Sequence, residues 1–281
     1  MINIIAGGKD KEILMLEKAA TVFAKKQLAP EREANDAYPF GPFFDTVVQK
    51  AFELDFFAVM LPEDLNGMGM GVKAFARRTA AWAAFCLPMP RPSRCCWQPG
   101  TRPCWKKSRP RKAFGNVAGQ PVGKADQGSV YFGEMADIIH AAAAAMALGV
   151  MKGSFKEAFT FSQQRFQGGQ EIIKWSELKR IVAEMAIAVQ NAEMIVGMAC
   201  HVADARIPGW ELCTRAAALQ VQKSACDVTT DGIQVLGGVG YMKDYGQKKR
   251  FRDANQIQAL LGMAPMKKIR YIESMLKGCK A

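Results

Sequence analysis

An apolar repeat of three and four residues constrains this chain more than any other feature. From 176 to 205, Leu178, Ile181, Val182, Met185, Val189, Ala192, Val196 and Ala199 recur at that spacing, which aligns them on one face of an α-helix as a helical bundle requires. The later two thirds also reads as long helices over 131–165, 213–236, 247–261 and 264–277. Nearer the N-terminus, Ile13, Leu14, Leu16, Ala19, Val22 and Phe23 form one face of a helix over 11–27, and another is expected over 43–54. Met146, Met151, Met185, Met194 and Met198 fall at helical spacing and read as core packing.

The 281 residues are 49% hydrophobic and 23% charged, enough for one large or two modest domains with a real core and too apolar for a disordered tail. The longest wholly apolar or small run, Ala141 to Met151, falls short of the roughly 20 residues that a bilayer crossing needs. The opening MINIIAGGKDKE lacks a signal-peptide pattern. No membrane span and a cytoplasmic location are therefore expected.

The net charge of +12 has a single source. Between Leu65 and Ala125 there is no Asp or Glu but there are twelve Lys and Arg, and without them the chain balances at 26 against 26. The same window holds three of the five Trp, four of the eight Cys and seven prolines from Pro88 to Pro121. No period survives through PMPRPSRCCWQPGTRPCWKKSRPRK, so an irregular basic segment is expected over 72–123. Cys86, Cys95, Cys96 and Cys104 lack the paired short spacing of a zinc site, and neither His lies near. A basic, aromatic-containing stretch can follow a phosphate backbone, but no RRM, KH or zinc-finger pattern accompanies it, so a nucleic-acid partner is not expected.

Four motifs carry more information. Leu61-Pro62-Glu63-Asp64-Leu65-Asn66-Gly67-Met68-Gly69-Met70-Gly71 resembles the LPEEYGGLGL turn of acyl-CoA dehydrogenases. Residues 231–245, DGIQVLGGVGYMKDY, are similar to that family's AVQVLGGYGYMKDY, and Arg252-Asp253-Ala254 matches its RDA signature. Arg165-Phe166-Gln167-Gly168-Gly169-Gln170 resembles its RxxFG segment, and Val182-Ala183-Glu184-Met185-Ala186 its LAEMA helix.

The resemblance implies a mainly α chain: a partial N-terminal helical domain over 1–71 and a C-terminal four-helix bundle of acyl-CoA dehydrogenase type over 124–281. It implies FAD as cofactor, an acyl-CoA thioester as substrate, an electron-transfer flavoprotein as acceptor and a homo- or hetero-oligomer. An Arg at the position of Arg165 meets the FAD pyrophosphate of a neighbouring subunit, which suits a guanidinium's forked geometry. Gln234, Gly237 and Gly238 match the stretch where backbone approaches the adenosine half.

In the family a Glu takes the acyl α-proton while the β-hydrogen leaves as hydride to the flavin. Its usual place, in an IYEGT segment after RDA, is Leu261 here, and the alternative place early in the first bundle helix is Ile139. His140 follows Ile139, and Asp137 lies two residues before it, about 200° round the helix. Asp137 as a substitute carboxylate and His140 as a group titrating near neutrality are the nearby alternatives.

The family's middle β-domain, with its TEPGAGSD-like and WITN-like segments, has no counterpart between Gly71 and the bundle. Smaller departures are Ser176 for a glutamine, Gly168 for the phenylalanine of RxxF, and Gly246-Gln247-Lys248-Lys249 for PVER. The window at 72–123 has the texture of GC-rich coding read out of frame beside an internal deletion; a functional insertion is the competing origin. The expected function is thus an impaired acyl-CoA dehydrogenase; the alternatives are a structural subunit pairing with a catalytic paralogue, and binding of an anionic surface or nucleic acid through 72–124.

Overall fold

A computed structural model of the chain describes residues 10–30, 43–54, 56, 59, 68–83 and 128–278. Eight α-helices occur among them: α1 (Asp10–Phe23), α2 (Phe43–Glu53), α3 (Val72–Ala83), α4 (Gly128–Gln164), α5 (Ser176–Asp204), α6 (Trp210–Leu236), α7 (Gln247–Gln258) and α8 (Ala264–Gly278). A π-helical turn, Ala24–Leu28, extends α1. Two-residue strands β1 (Phe166–Gln167) and β2 (Gln170–Glu171) form an antiparallel hairpin. The chain is mainly α, as its periodicity dictates.

Two compact units are present, one of residues 1–88 with 136–281 and one of 89–135. Of the second, the described part is 128–135, the exposed opening turns of α4. In the first unit, Ile13, Leu16, Ala20 and Phe23 of α1 pack with Val47 and Ala51 of α2 and with Phe56, Val59 and Ala74. Phe23 meets the Phe56 ring edge-on at 5.5 Å. The bundle core is built by Val150 and Met151 of α4, Met185 and Val189 of α5, Val221 and Val228 of α6, and Ile257 of α7. Met194 and Met198 do not join it: they are 60% and 58% exposed, because α5 buries the stripe through Met185, Val189, Ala192 and Val196 and turns these two outward.

The reading of 72–123 as irregular needs correction at its start. Residues 72–83 form α3, which packs against α1 and α5. Asp204, the last residue of α5, accepts from the N–H groups of Val72 (2.6 Å) and Lys73 (3.1 Å), satisfying two of the donors that a helix start leaves over. A side chain at Gly71 would overlap that carboxyl, and one at Gly149 of α4 would overlap the backbone carbonyl of Ala80. Three basic residues of the window also have partners within the fold. Arg77 pairs with Glu17 at 3.4 Å, Arg78 donates to the Phe56 carbonyl and lies over the Phe75 ring, and Lys73 has its backbone bond to Asp204. The four cysteines at 86–104 and the other nine basic residues lie outside the described residues.

By length and composition, α4 and α5 each reach what a bilayer crossing needs, a test that the longest apolar run in the sequence understates. In α4 the most apolar window is 67% buried within the protein, so its hydropathy is that of a core helix. In α5 the buried share is 28%, and Ile187, Met194 and Met198 face outward.

Candidate functional site

The segment from α6 to α7 is fastened to the last third of α4. Gly237 ends α6 at φ 63°, ψ −140°, a conformation that a side chain disfavours. Gly240 is buried against the Ile233 carbonyl in the short helix that follows. Tyr245 then sets its ring edge-on to Phe161 of α4 at 5.6 Å. Next, the Gly246 N–H donates to both carboxylate oxygens of Glu157 (3.2 and 3.1 Å), which also accepts from Arg250 at 2.6 Å. Gln247, fully buried, donates to the Ser154 carbonyl at 2.9 Å and accepts from its hydroxyl at 2.7 Å.

Arg165 sits one turn beyond Phe161, its N–H donating to the Phe161 carbonyl at 2.9 Å. Its side chain is exposed, as are Gln234, Gly237 and Gly238. Nothing stands within 4 Å of where a side chain would begin at either glycine. The fold thus anchors Tyr245 to Arg250, which follow the glycine turn, on the stretch of α4 that ends at Arg165, and leaves the arginine and the two glycines exposed. This arrangement fits a phosphate-bearing group such as the outer half of FAD: a permanent cation with forked donors, and backbone free of side chains.

The departures from the family pattern in this region have local causes. Gly168 and Gly169 turn the β1–β2 hairpin at φ 63° and 85°, and a side chain at 168 would meet Trp175. Lys249, with none of its surface exposed, donates to both oxygens of Asp253 at 2.8 and 2.9 Å. Ser176 opens α5 and is exposed.

The two base positions lie elsewhere. Ile139 of α4 is 26 residues before Arg165, which directly follows the helix, about 39 Å along the axis. Asp137 is buried and bidentate with Arg215, Nε to Oδ1 at 2.6 Å and Nη2 to Oδ2 at 2.9 Å, and this bond raises the arginine's pKa. Both oxygens of Asp137 are thereby committed to a structural pair. His140 does not titrate near neutrality: burial pushes it down to about 4, with Asp137 opposing and Lys267 and Arg215 assisting. It is a neutral imidazole at pH 7, its Nδ1 buried with no hydrogen-bond partner.

Leu261 lies just past the end of α7 at φ 63°, followed by Gly262 at φ 114°. Lys267 of α8 donates to the carbonyls of Gln258 (2.8 Å) and Leu260 (3.2 Å) and to Oε1 of Gln222 on α6 (2.8 Å). The sequence reading missed Lys267 and Asp204. A lysine in the first turn of a helix, against the dipole, was the available signal for the first; Asp204 meets residues some 130 positions away, which no local pattern reveals.

Residues 126–272 match the model of the acyl-CoA dehydrogenase C-terminal domain, more than half of the chain, and residues 10–91 match that of the N-terminal domain. The chain belongs to the acyl-CoA dehydrogenase family. Among its relatives, a short-chain-specific acyl-CoA dehydrogenase of Clostridium acetobutylicum is 33% identical over 126 residues, 45% of this chain and 33% of the relative. The chain spans about a third to two fifths of the length of the first curated relatives it matches. A butyryl-CoA dehydrogenase structure from Megasphaera elsdenii superposes with TM-score 0.75 at 16% identity, covering 98% of this chain and 100% of that one. An acyl-CoA dehydrogenase complexed with FAD from Bacillus anthracis superposes with TM-score 0.78 at 13% identity, covering 100% of this chain and 69% of that one. The two structures share the acyl-CoA dehydrogenase fold with this chain. The N-terminal match runs past Gly71 and through α3, so the family pattern extends further into the basic window than the sequence motifs indicated.

Proposed function

We propose that this chain is an acyl-CoA dehydrogenase-family flavoprotein that keeps the phosphate-facing half of the FAD site and is impaired in the α,β-dehydrogenation of an acyl-CoA thioester. The observation that carries this reading is the chemistry at the base positions: Leu261 and Ile139 accept no proton, and Asp137 is held by Arg215. Bound FAD supplies the hydride acceptor in the family's reaction. Here Arg165 would hold the pyrophosphate, and Gln234, Gly237 and Gly238 would line the adenosine half. With no carboxylate to take the α-proton, the substrate's electrons do not reach an electron-transfer flavoprotein. An anaerobic titration of the FAD-loaded protein with short- and medium-chain acyl-CoA tests this: the flavin absorbance is expected to persist, and bleaching would overturn the reading.

A second reading is a structural subunit that pairs with a catalytic paralogue, favoured by the apolar residues exposed on α5 (Ile187, Met194, Met198) and α8 (Met266, Ile269, Ile272, Leu276). Co-purification of a second, Glu-bearing chain from the native source supports it; a homogeneous preparation counts against it. Binding of an anionic surface through 72–124 is weakened by the inward partners of Arg77 and Arg78.

The foreign stretch is narrower than 72–123. α3 is seated by Asp204 and by Gly149, and residues 92–125 lie between the two family matches. A frame slip with deletion confined to that interval accounts for its Arg, Pro, Cys and Trp. Sequencing the encoding nucleotides tests this, and a shifted frame that yields no dehydrogenase-like text contradicts it.

A further inference from the structure

Lys267 stands in the first turn of α8 and is only 6% exposed. Its ammonium has three hydrogens and three acceptors: the carbonyls of Gln258 and Leu260 and the side-chain oxygen of Gln222. Both carbonyls are at the C-terminal end of α7, where a helix leaves acceptors unfilled and favours a cation. Gln222, 1% exposed, turns its oxygen to Lys267 and leaves its own Nε2 without a partner. That is a costly arrangement for a buried amide unless the lysine dictates it. Between the two carbonyls and α8 lie Leu261 and Gly262, both left-handed, a conformation that leucine disfavours.

We infer that Lys267 is a positioning residue whose three hydrogen bonds impose the left-handed turn at 261–262 and so fix the direction in which residue 261 is presented. The turn at the place where the family carries its base is thus held in one geometry, with a leucine in the base's place. That position 261 bears on the chemistry rests on the reading above; the hold of Lys267 on the turn does not.

The test compares glycine with alanine at 261, since both discard the leucine and differ in their tolerance of positive φ. With Lys267 present, Leu261→Gly is expected to fold with an equilibrium constant about fivefold larger than Leu261→Ala, measured by urea unfolding. With Lys267→Met added, the order is expected to reverse, because a relaxed turn no longer rewards glycine. A lysine that merely fills space lowers both variants equally and leaves their order unchanged, which would overturn the inference; so would alanine matching glycine when Lys267 is present. Should Lys267→Met not fold, Lys267→Gln takes its place. The unaltered protein gives an independent reading: the Lys267 Nζ ammonium is expected to exchange slowly enough to be seen by 15N NMR near neutral pH, and fast exchange contradicts its three bonds. A protein that fails to bind FAD leaves these unfolding ratios unaffected, so the two proposals fail separately.

Discussion

Residues 244–253 and residue 261 belong to one helix-and-turn segment, yet they have departed from the family in opposite ways. In the first, the two fully buried polar replacements have partners: Gln247 with Ser154, and Lys249 with Asp253. At 261 a leucine occupies a turn held by Lys267, and nothing there accepts a proton. Folding asks that buried polar groups be paired and that glycines stand where backbones approach. Catalysis asks for one carboxylate at one place. Except at Nε of Arg250 the segment meets the first demand; on the function proposed above it lacks what the second asks.

The strongest way to break this contrast is to unpair the first region. Asp253→Leu takes away the carboxylate to which the fully buried Lys249 donates, and is expected to cost roughly 3–5 kcal/mol in urea unfolding. Adding Lys249→Met is expected to recover most of that loss; no recovery would mean that the pair is incidental. Next in size, Gly149→Ala drives a methyl into the Ala80 carbonyl and is expected to cost about 1–3 kcal/mol, with hydrogen exchange rising first in α3. Asp204→Ala, which removes the cap on Val72 and Lys73, is expected to cost about 1–2 kcal/mol and to loosen the same helix. If either variant leaves α3 as protected as before, the joint between α3 and the bundle is not what holds it.

The effect that is smallest at neutral pH, and grows only in acid, sharpens the contrast near Ile139. His140 titrates near 4 in the fold and near 6.5 when unfolded. Between those values the unfolded chain holds more protons, so stability falls as pH drops from about 6.5 to about 4. His140→Gln is expected to flatten the slope of stability against pH in that window; an unchanged slope would show that the imidazole is not buried in the neutral form.

The helical reading placed α1, α2 and α4 to α8 to within a few residues; α1 and α5 carry an apolar stripe over several turns, whereas α7 buries Gln247, Lys249, Arg250 and Asp253 beside Ala254 and Ile257. α3 was hidden by its setting: Lys73, Arg77 and Arg78 gave it the charge of the Pro- and Arg-rich text after it, and its seat depends on Glu17, Phe56 and Asp204, which are distant in sequence. Arg165 and the glycine turn stand out as motifs because each is a local pattern; their cofactor role is a proposal. The fates of Asp137 and His140 were not, since they depend on Arg215 and Lys267, which are distant in sequence. The outward turn of Met194 and Met198 was likewise invisible to composition, which marks a methionine as apolar without saying which face of α5 bears it.

One spectrum bears directly on the claim that contacts for the cofactor's phosphates have outlived the base. The purified protein, incubated with excess FAD and desalted, is compared in visible absorbance with an Arg165→Ala variant before and after addition of acyl-CoA. The expected result is a retained flavin band that weakens in the variant and is not bleached by acyl-CoA. A colourless protein in both cases, or a band that acyl-CoA bleaches, would contradict it.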